Sequence, residues 1–190
     1  MVRYIALSML SLLSCVAAQP SDSQTGDDDN NALPPLGHTF FCLRYPLDCA
    51  RTASTESWPI SLEGRWRKMN LVNTSVNASI APKPDPDQVN THWLIAPLKG
   101  DCNDYAITKR HALLKAGWPS SSLLLAEVTL ISTGEHHLVL IVRGTNADWV
   151  LDNLKPGIER LAATRSEYAR NRIESGDNPR LWTQSFSGLG

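Results

Sequence analysis

The chain has 190 residues, of which 7% are aromatic and 19% charged, with a formal net charge of -1 at pH 7. That length is a prior for one domain with tails, and the composition is that of an ordinary globular protein. The near-neutral charge gives no reason to expect nucleic acid as a partner, no apolar run reaches the roughly 18 residues of a membrane span, and cysteines without a Cys-x-x-Cys pair exclude a zinc ribbon.

Met1-Val2-Arg3, an apolar run from Tyr4 to Val16 and then Ala17-Ala18 read as an export signal over residues 1–18, with cleavage after Ala18. A rival cut before Cys15 would acylate that cysteine and give a lipid anchor. Residues 19–38 include Asp27-Asp28-Asp29 and Pro34-Pro35. They lack the apolar content to offset the entropy of ordering and read as a disordered linker. The folded domain is expected over residues 39–184, with 185–190 a flexible Ser/Gly-rich tail. Export implies a periplasmic or secreted protein in an oxidising compartment. A disulfide between Cys42 and Cys49 would there add roughly 2–3 kcal/mol. If Cys15 leaves with the signal, that pairing leaves Cys102 as an unpaired thiol.

Residues 63–76 read as a helix, with Trp66, Met69, Asn70 and Asn73 at helical spacing and Arg65, Arg67 and Lys68 outward. Residues 77–89 hold Pro82, Pro84 and Pro86 and read as a loop. Asp101 to Ala116 carries acids at its start, bases toward its end, Gly117 as a stop and Pro119 beyond, the punctuation of a helix. Leu123 to Ile131 alternates as a strand, 132–135 turns, His137 to Val142 is a second strand, and 149–152 is a third after a turn at 144–148. Two hairpins in succession make an antiparallel meander. Ile158, Leu161 and Tyr168 suggest a helical face within 155–175.

Cys102 falls at the first turn of its helix. The partial positive charge of a helix N-terminus stabilises a thiolate, and the first-turn N–H groups suit an oxyanion. A buried structural cysteine fits the same position equally well. His137 heads its strand, and a hairpin turn centred between Gly144 and Thr145 sets Asp152 opposite it on one face. A thiol, an imidazole and a carboxylate follow the nucleophile, base and orienter logic of acyl-transfer enzymes. His38, His92 and His111 read as bystanders. Trp93 could wall the site, although a core aromatic fits it better, and Asn153 could support Asp152.

Gly100-Asp101-Cys102-Asn103-Asp104-Tyr105-Ala106 with Lys109, Leu113 and Gly117-Trp118-Pro119, then His137-Leu138-Val139-Leu140 and Val150-Leu151-Asp152-Asn153-Leu154, resemble the bacterial transglutaminase-like cysteine proteinases. Cys42 to Cys49, Asn73, Asn77, Tyr168, Arg172 and Trp182 fit the same pattern, so the resemblance runs in order over most of 40–182. It implies an α+β fold, a papain-like or transglutaminase-like core with the nucleophile helix packed on an antiparallel sheet. It assigns catalysis to Cys102, His137 and Asp152. The family includes periplasmic proteases that release biofilm cells by clipping a surface adhesin, and those members bind calcium beside the nucleophile. Asp101 and Asp104 match the acidic positions of that calcium site, whereas Asn103 replaces a glutamate and brings one charge fewer. Helix capping is the competing role for both aspartates.

These readings converge on an exported thiol peptidase with a protein substrate, no nucleic-acid partner and no cofactor required for the chemistry. Two alternatives stand beside it. One is transglutaminase-type transfer of the acyl group to an amine; the other is a catalytically silent protein-binding module of the same fold.

Overall fold

The computed structural model describes residue 1 and residues 30–52, 62–83 and 92–189. The expected signal, its cut after Ala18, the rival at Cys15 and the run Asp27 to Asp29 lie outside the described residues. So do residues 84–89 of the expected loop, with Pro84 and Pro86.

Three helices pack on one face of an antiparallel sheet: α1 (Leu36–Arg44), α2 (Leu62–Ser79) and α3 (Cys102–Lys115). The strands are β1 (Asn31–Ala32), β2 (Ala81–Pro82), β3 (Lys99–Gly100), β4 (Leu123–Leu130), β5 (His136–Val142), β6 (Trp149–Leu151), β7 (Glu159–Arg160), β8 (Tyr168–Glu174) and β9 (Trp182–Thr183). Among the described residues the main sheet runs β1-β9-β8-β4-β5-β6-β7, and β2 pairs with β3 in parallel beside it. The expected α+β class and helix-on-sheet arrangement are present.

Strand alternation divides the core into two layers. Leu123, Leu125, Leu138, Leu140, Val142 and Leu151 join Met69, Val72, Ile107 and Leu113 of the helices. Leu124, Ala126, Val128, Val139, Ile141 and Val150 form the other layer with Leu161, Tyr168 and Ile173. β4 and β5, buried on both faces, therefore read as near-continuous apolar runs.

A buried polar hub fastens the helices to the sheet. Arg110 donates to Glu174 Oε1 at 3.1 Å and to the Leu123 carbonyl at 3.0 Å, and also to the Asp48 carbonyl. Glu174 Oε2 accepts the Leu125 N–H at 3.0 Å. Arg110 and Glu174 are each 1% exposed, so the pair survives burial only because further hydrogen bonds complete it. Cys42 and Cys49 form the expected disulfide. His111 Nδ1 lies 2.7 Å from Asp48 Oδ1, and His38 is buried among Phe41, Trp93 and Trp182. Both histidines are structural, as expected of them.

Four expectations are corrected. Residues 30–38, read as the end of a linker, carry β1, paired to β9, and the start of α1. Tyr168 lies on strand β8 and not on a helix, while the other half of 155–175 holds β7 and a 3-10 turn over Leu161–Ser166. Helix α2 extends to Ser79 and buries Met69 and Asn73, leaving Trp66 and Asn70 exposed. The C-terminal segment is packed: Phe186 and Leu189 lie against the second core layer.

Candidate active site

Helix α3 presents Cys102 as its first residue. Asp101 is the N-cap, accepting from Asn103 N at 2.9 Å and Asp104 N at 3.4 Å, and Asp104 Oδ2 accepts back from Asp101 N at 3.2 Å. This reciprocal capping box fixes Cys102 and Asn103 between the two carboxylates. Asp104 Oδ1 also accepts from Leu94 N at 2.7 Å, which draws the Trp93 segment onto the helix start. Gly100 permits the close approach, since a Cβ there would sit 2.4 Å from Asp104 Oδ2. Burial raises the Asp104 carboxyl to about 6; the Asp101 charge adds to the rise, against the Leu94 and Asp101 N–H bonds that lower it.

His137 and Asp152 meet across the β5–β6 hairpin. β6 pairs with β5 through Leu140 and Leu151, Ile141 and Val150, and Val142 and Trp149. The turn therefore centres between Thr145 and Asn146, one residue later than expected. Extending the ladder sets Asp152 beside Val139, so His137 is its diagonal rather than its direct neighbour, on the same face. The six-residue loop accounts for the shift: Gly144 N donates to Asp148 Oδ1 at 3.2 Å, and a Cβ on Gly144 would stand 2.5 Å from the Ala147 carbonyl.

The resulting contact is short and dry. His137 Nε2 lies 2.7 Å from Asp152 Oδ1, and the two residues are 5% and 2% exposed. Asp152 Oδ1 also accepts the Leu154 N–H at 2.9 Å, and Oδ2 accepts the Tyr168 hydroxyl. Asn77 Nδ2 donates to the Asp152 carbonyl at 3.0 Å and to the Lys155 carbonyl at 3.3 Å, tying α2 to the strand end. Burial works against the charged forms of both partners. The hydrogen bonds of His137 to Asp152 and Cys102, and their negative charge, prevail and raise the imidazole to about 9. The same contact, with the Leu154 N–H and Tyr168, outweighs burial at Asp152 and holds its carboxyl down at about 2. The Tyr168 hydroxyl is pushed up by burial and by the Asp152 charge.

Cys102, half-buried and the free cysteine among the described residues, lines the same cavity as the imidazole that Asp152 orients. A cavity of about 360 Å³ opens in front of it, lined by Trp93, Gly100, Asn103, His137 and Asn153 among others. Trp93 is both things expected of it, 4% exposed in the core and a wall of this cavity. Asn153 lines the cavity beside Asp152. Tyr168 and Asn77, which hold Asp152, had no role in the pattern of spacing; only their place in the family resemblance marked them. Lys109, two turns along α3 from Cys102, is 0% exposed, and its Nζ has no hydrogen-bond partner. Burial pulls its ammonium down to about 7, against the attraction of the Asp152 charge.

Asp101, Asn103 and Asp104 offer calcium an all-oxygen donor set within one turn, which suits a hard cation, although both carboxylates also serve the cap.

A family model for the bacterial transglutaminase-like cysteine proteinases matches residues 28–187. Among solved structures, calcium-bound LapG of Legionella pneumophila aligns with a TM-score of 0.55 at 24% identity, covering 65% of this chain and 73% of that chain. The EGTA-treated form of that protein aligns with a TM-score of 0.55 at 23% identity, covering 65% and 69%. At such identity the likeness to these structures carries the fold alone. No curated protein matches this chain.

Proposed function

Because this chain belongs to the bacterial transglutaminase-like cysteine proteinase family, it is a cysteine peptidase, and we propose that Cys102, His137 and Asp152 are the groups with which it hydrolyses a protein substrate. The observation that carries this reading is the buried 2.7 Å bond from His137 to Asp152, with the half-buried Cys102 on the wall of the same cavity as the imidazole.

The chemistry follows from that arrangement. In the reacting pair His137 takes the proton of the Cys102 thiol, so that the ring carries the positive charge and the sulfur the negative. The thiolate attacks the carbonyl carbon of the scissile bond, a C–S bond forms, and the carbonyl π electrons move onto oxygen. Capping commits the N–H groups of Asn103 and Asp104 to Asp101, so the helix-start donor left for that oxyanion is the N–H of Cys102. His137 passes its proton to the leaving nitrogen as the C–N bond breaks, and the new N-terminus departs. The neutral ring then takes a proton from water as the water oxygen attacks the thioester. Collapse of the second intermediate breaks the C–S bond and releases the acid, and the imidazolium formed in the attack returns its proton to the sulfur. Asp152 fixes the ring through Nε2 and stabilises its positive charge, and Tyr168 and the Leu154 N–H hold Asp152 in place.

The substrate in this reading is a cell-surface adhesin, met after export by the signal at 1–18. The family supports the protein substrate, and the Cys42–Cys49 disulfide supports an oxidising compartment. Among the described residues no helix is long and apolar enough to cross a membrane. Comparison of new N-termini in the cell envelope between the wild type and Cys102→Ala tests the assignment. A cut in a surface protein that disappears with the thiol is expected. Release of ammonia with cross-linked product and no new N-terminus would replace hydrolysis by amine transfer.

Calcium is proposed as a ligand of Asp101, Asn103 and Asp104, on the chemistry of those donors and the likeness to a calcium-bound relative. Bound there, the ion would supply fixed positive charge beside the helix start. Calcium should raise the melting temperature of the chelator-treated protein, and more so in Asn103→Glu; identical melting with and without the ion in both proteins would remove the site.

A further inference from the structure

A second cavity, of about 740 Å³, lies at the end of the sheet away from Cys102. His137 stands near one end of β5 and Val142, which lines this cavity, at the other. At ~3.3 Å per residue the two sites are roughly 17 Å apart along the strand.

The wall combines three indoles, Trp66, Trp118 and Trp149, with three guanidinium groups, Arg65, Arg143 and Arg160, and among the described residues none that lines it is Asp or Glu. The Trp66 and Trp149 rings meet edge-on with centroids 4.8 Å apart, and Arg160 lies over Trp149 at 5.4 Å. Trp118 is 5% exposed and Trp66 37%, so the aromatic wall runs from the core out to solvent. Arg143 donates to the Gly188 carbonyl at 3.5 Å in an exposed bond, and the described acids nearby have partners of their own, Asp177 beside Gly176 lying 3.9 Å from Arg51. Asp148, 5% exposed, accepts the Gly144 N–H; Glu159 faces Lys155 at 3.9 Å, and Glu63 faces Arg67 at 3.9 Å. A chain of net charge -1 therefore concentrates positive charge here locally, at exposed Arg143 and Arg160.

Guanidinium groups take carboxylates in paired hydrogen bonds, and indole faces take apolar side chains. We propose that this cavity docks an acidic polypeptide segment bearing an apolar side chain, with Arg143 and Arg160 pairing its carboxylates and Trp66 and Trp149 receiving the apolar group. Assigning that segment to the protein substrate, as an anchor remote from the cut bond, rests on the peptidase reading; the docking itself does not.

The test uses the full chain carrying Cys102→Ala and a dye-labelled peptide, Glu-Glu-Phe-Glu-Glu, followed by fluorescence anisotropy. Saturable binding is expected, weakening at least about tenfold between ~0.05 and ~0.5 M salt. Arg143→Ala and Arg160→Ala should each weaken it by about tenfold, Arg160→Lys by less, and Trp66→Ala by a similar factor. Circular dichroism of each variant confirms that the fold is kept. Absence of saturation, equal binding of the peptide with Lys in place of Glu, or indifference to these substitutions in folded protein would overturn the proposal. A wild-type chain that binds the peptide yet leaves envelope proteins uncut would refute the peptidase reading and not the docking.

Discussion

Asp152→Asn isolates the electrostatic half of the proposed catalytic pair while keeping its shape. A His137 pKa near 9 in place of 6.5 favours the imidazolium by roughly 3 kcal/mol, and an Asp152 pKa near 2 in place of 3.8 corresponds to roughly 2 kcal/mol. Each is a net effect of burial and of further partners, Cys102 for the ring and the Leu154 N–H and Tyr168 for the carboxylate. Loss of the carboxylate charge removes a main cause that raises the imidazole, so His137 should titrate well below 9. Turnover should fall by about 10²–10⁴ as the imidazolium loses its counter-charge and the ring its fixed orientation. The pH dependence of stability carries the same sign. With the folded pKa of His137 above its unfolded value, its contribution is complete below pH 6.5 and is lost as the pH rises through about 9. The contribution of Asp152 is present above pH 3.8 and is lost as the pH falls toward about 2. Side-chain NMR titration of His137, with urea melts at pH 6 and pH 9, measures both in wild type and variant. An imidazole that still titrates near 9 in Asp152→Asn would refute the reasoning.

Three further substitutions probe the surroundings. Tyr168→Phe removes one hydrogen bond to Asp152; the Asp152 pKa should rise above about 2 in carboxyl NMR and activity should fall by about 3–10-fold, with no movement in either contradicting the role. Lys109 is held near 7 by burial while the unfolded amine keeps its proton to about 10.5, so the cost of its charge is complete below pH 7 and disappears above 10.5. Lys109→Met should therefore gain roughly 2–4 kcal/mol in urea melts at pH 6 and converge with the wild type near pH 10; an equal gain at both would count against a buried ammonium. Arg110→Met strands the Glu174 carboxylate and should cost roughly 3–5 kcal/mol, most of it recovered in Arg110→Met/Glu174→Leu.

Local signals carried far in this chain. The cap residues around Cys102, Gly117 and Pro119 mark both ends of α3, and β4 and β5 declare themselves by continuous apolar residues because both of their faces are covered. The site was legible as three residue types, although the register placed His137 directly opposite Asp152 and the ladder makes it diagonal. A slip of two residues keeps the face, which is why the pairing survived the error. What stayed hidden is non-local. β8 sits between β9 and β4, but Ala169 to Arg172 are polar or small and a bulge between Glu127 and Val128 breaks their alternation, so the segment resembled a helix face. β1 pairs through its backbone, for which composition holds no signal. The link between Arg110 and Glu174 joins residues 64 apart, and only the folded chain brings them together.

The account stands most directly on the rate at which Cys102 is alkylated as a function of pH, read by peptide mass spectrometry with iodoacetamide. If the sulfur is paired with an imidazolium held by Asp152, Cys102 should react selectively at pH 6, and the rate should fall by at least about tenfold in His137→Ala. A Cys102 that reacts in wild type and His137→Ala at the same rate, rising only above pH 8 as an ordinary thiol does, would contradict it.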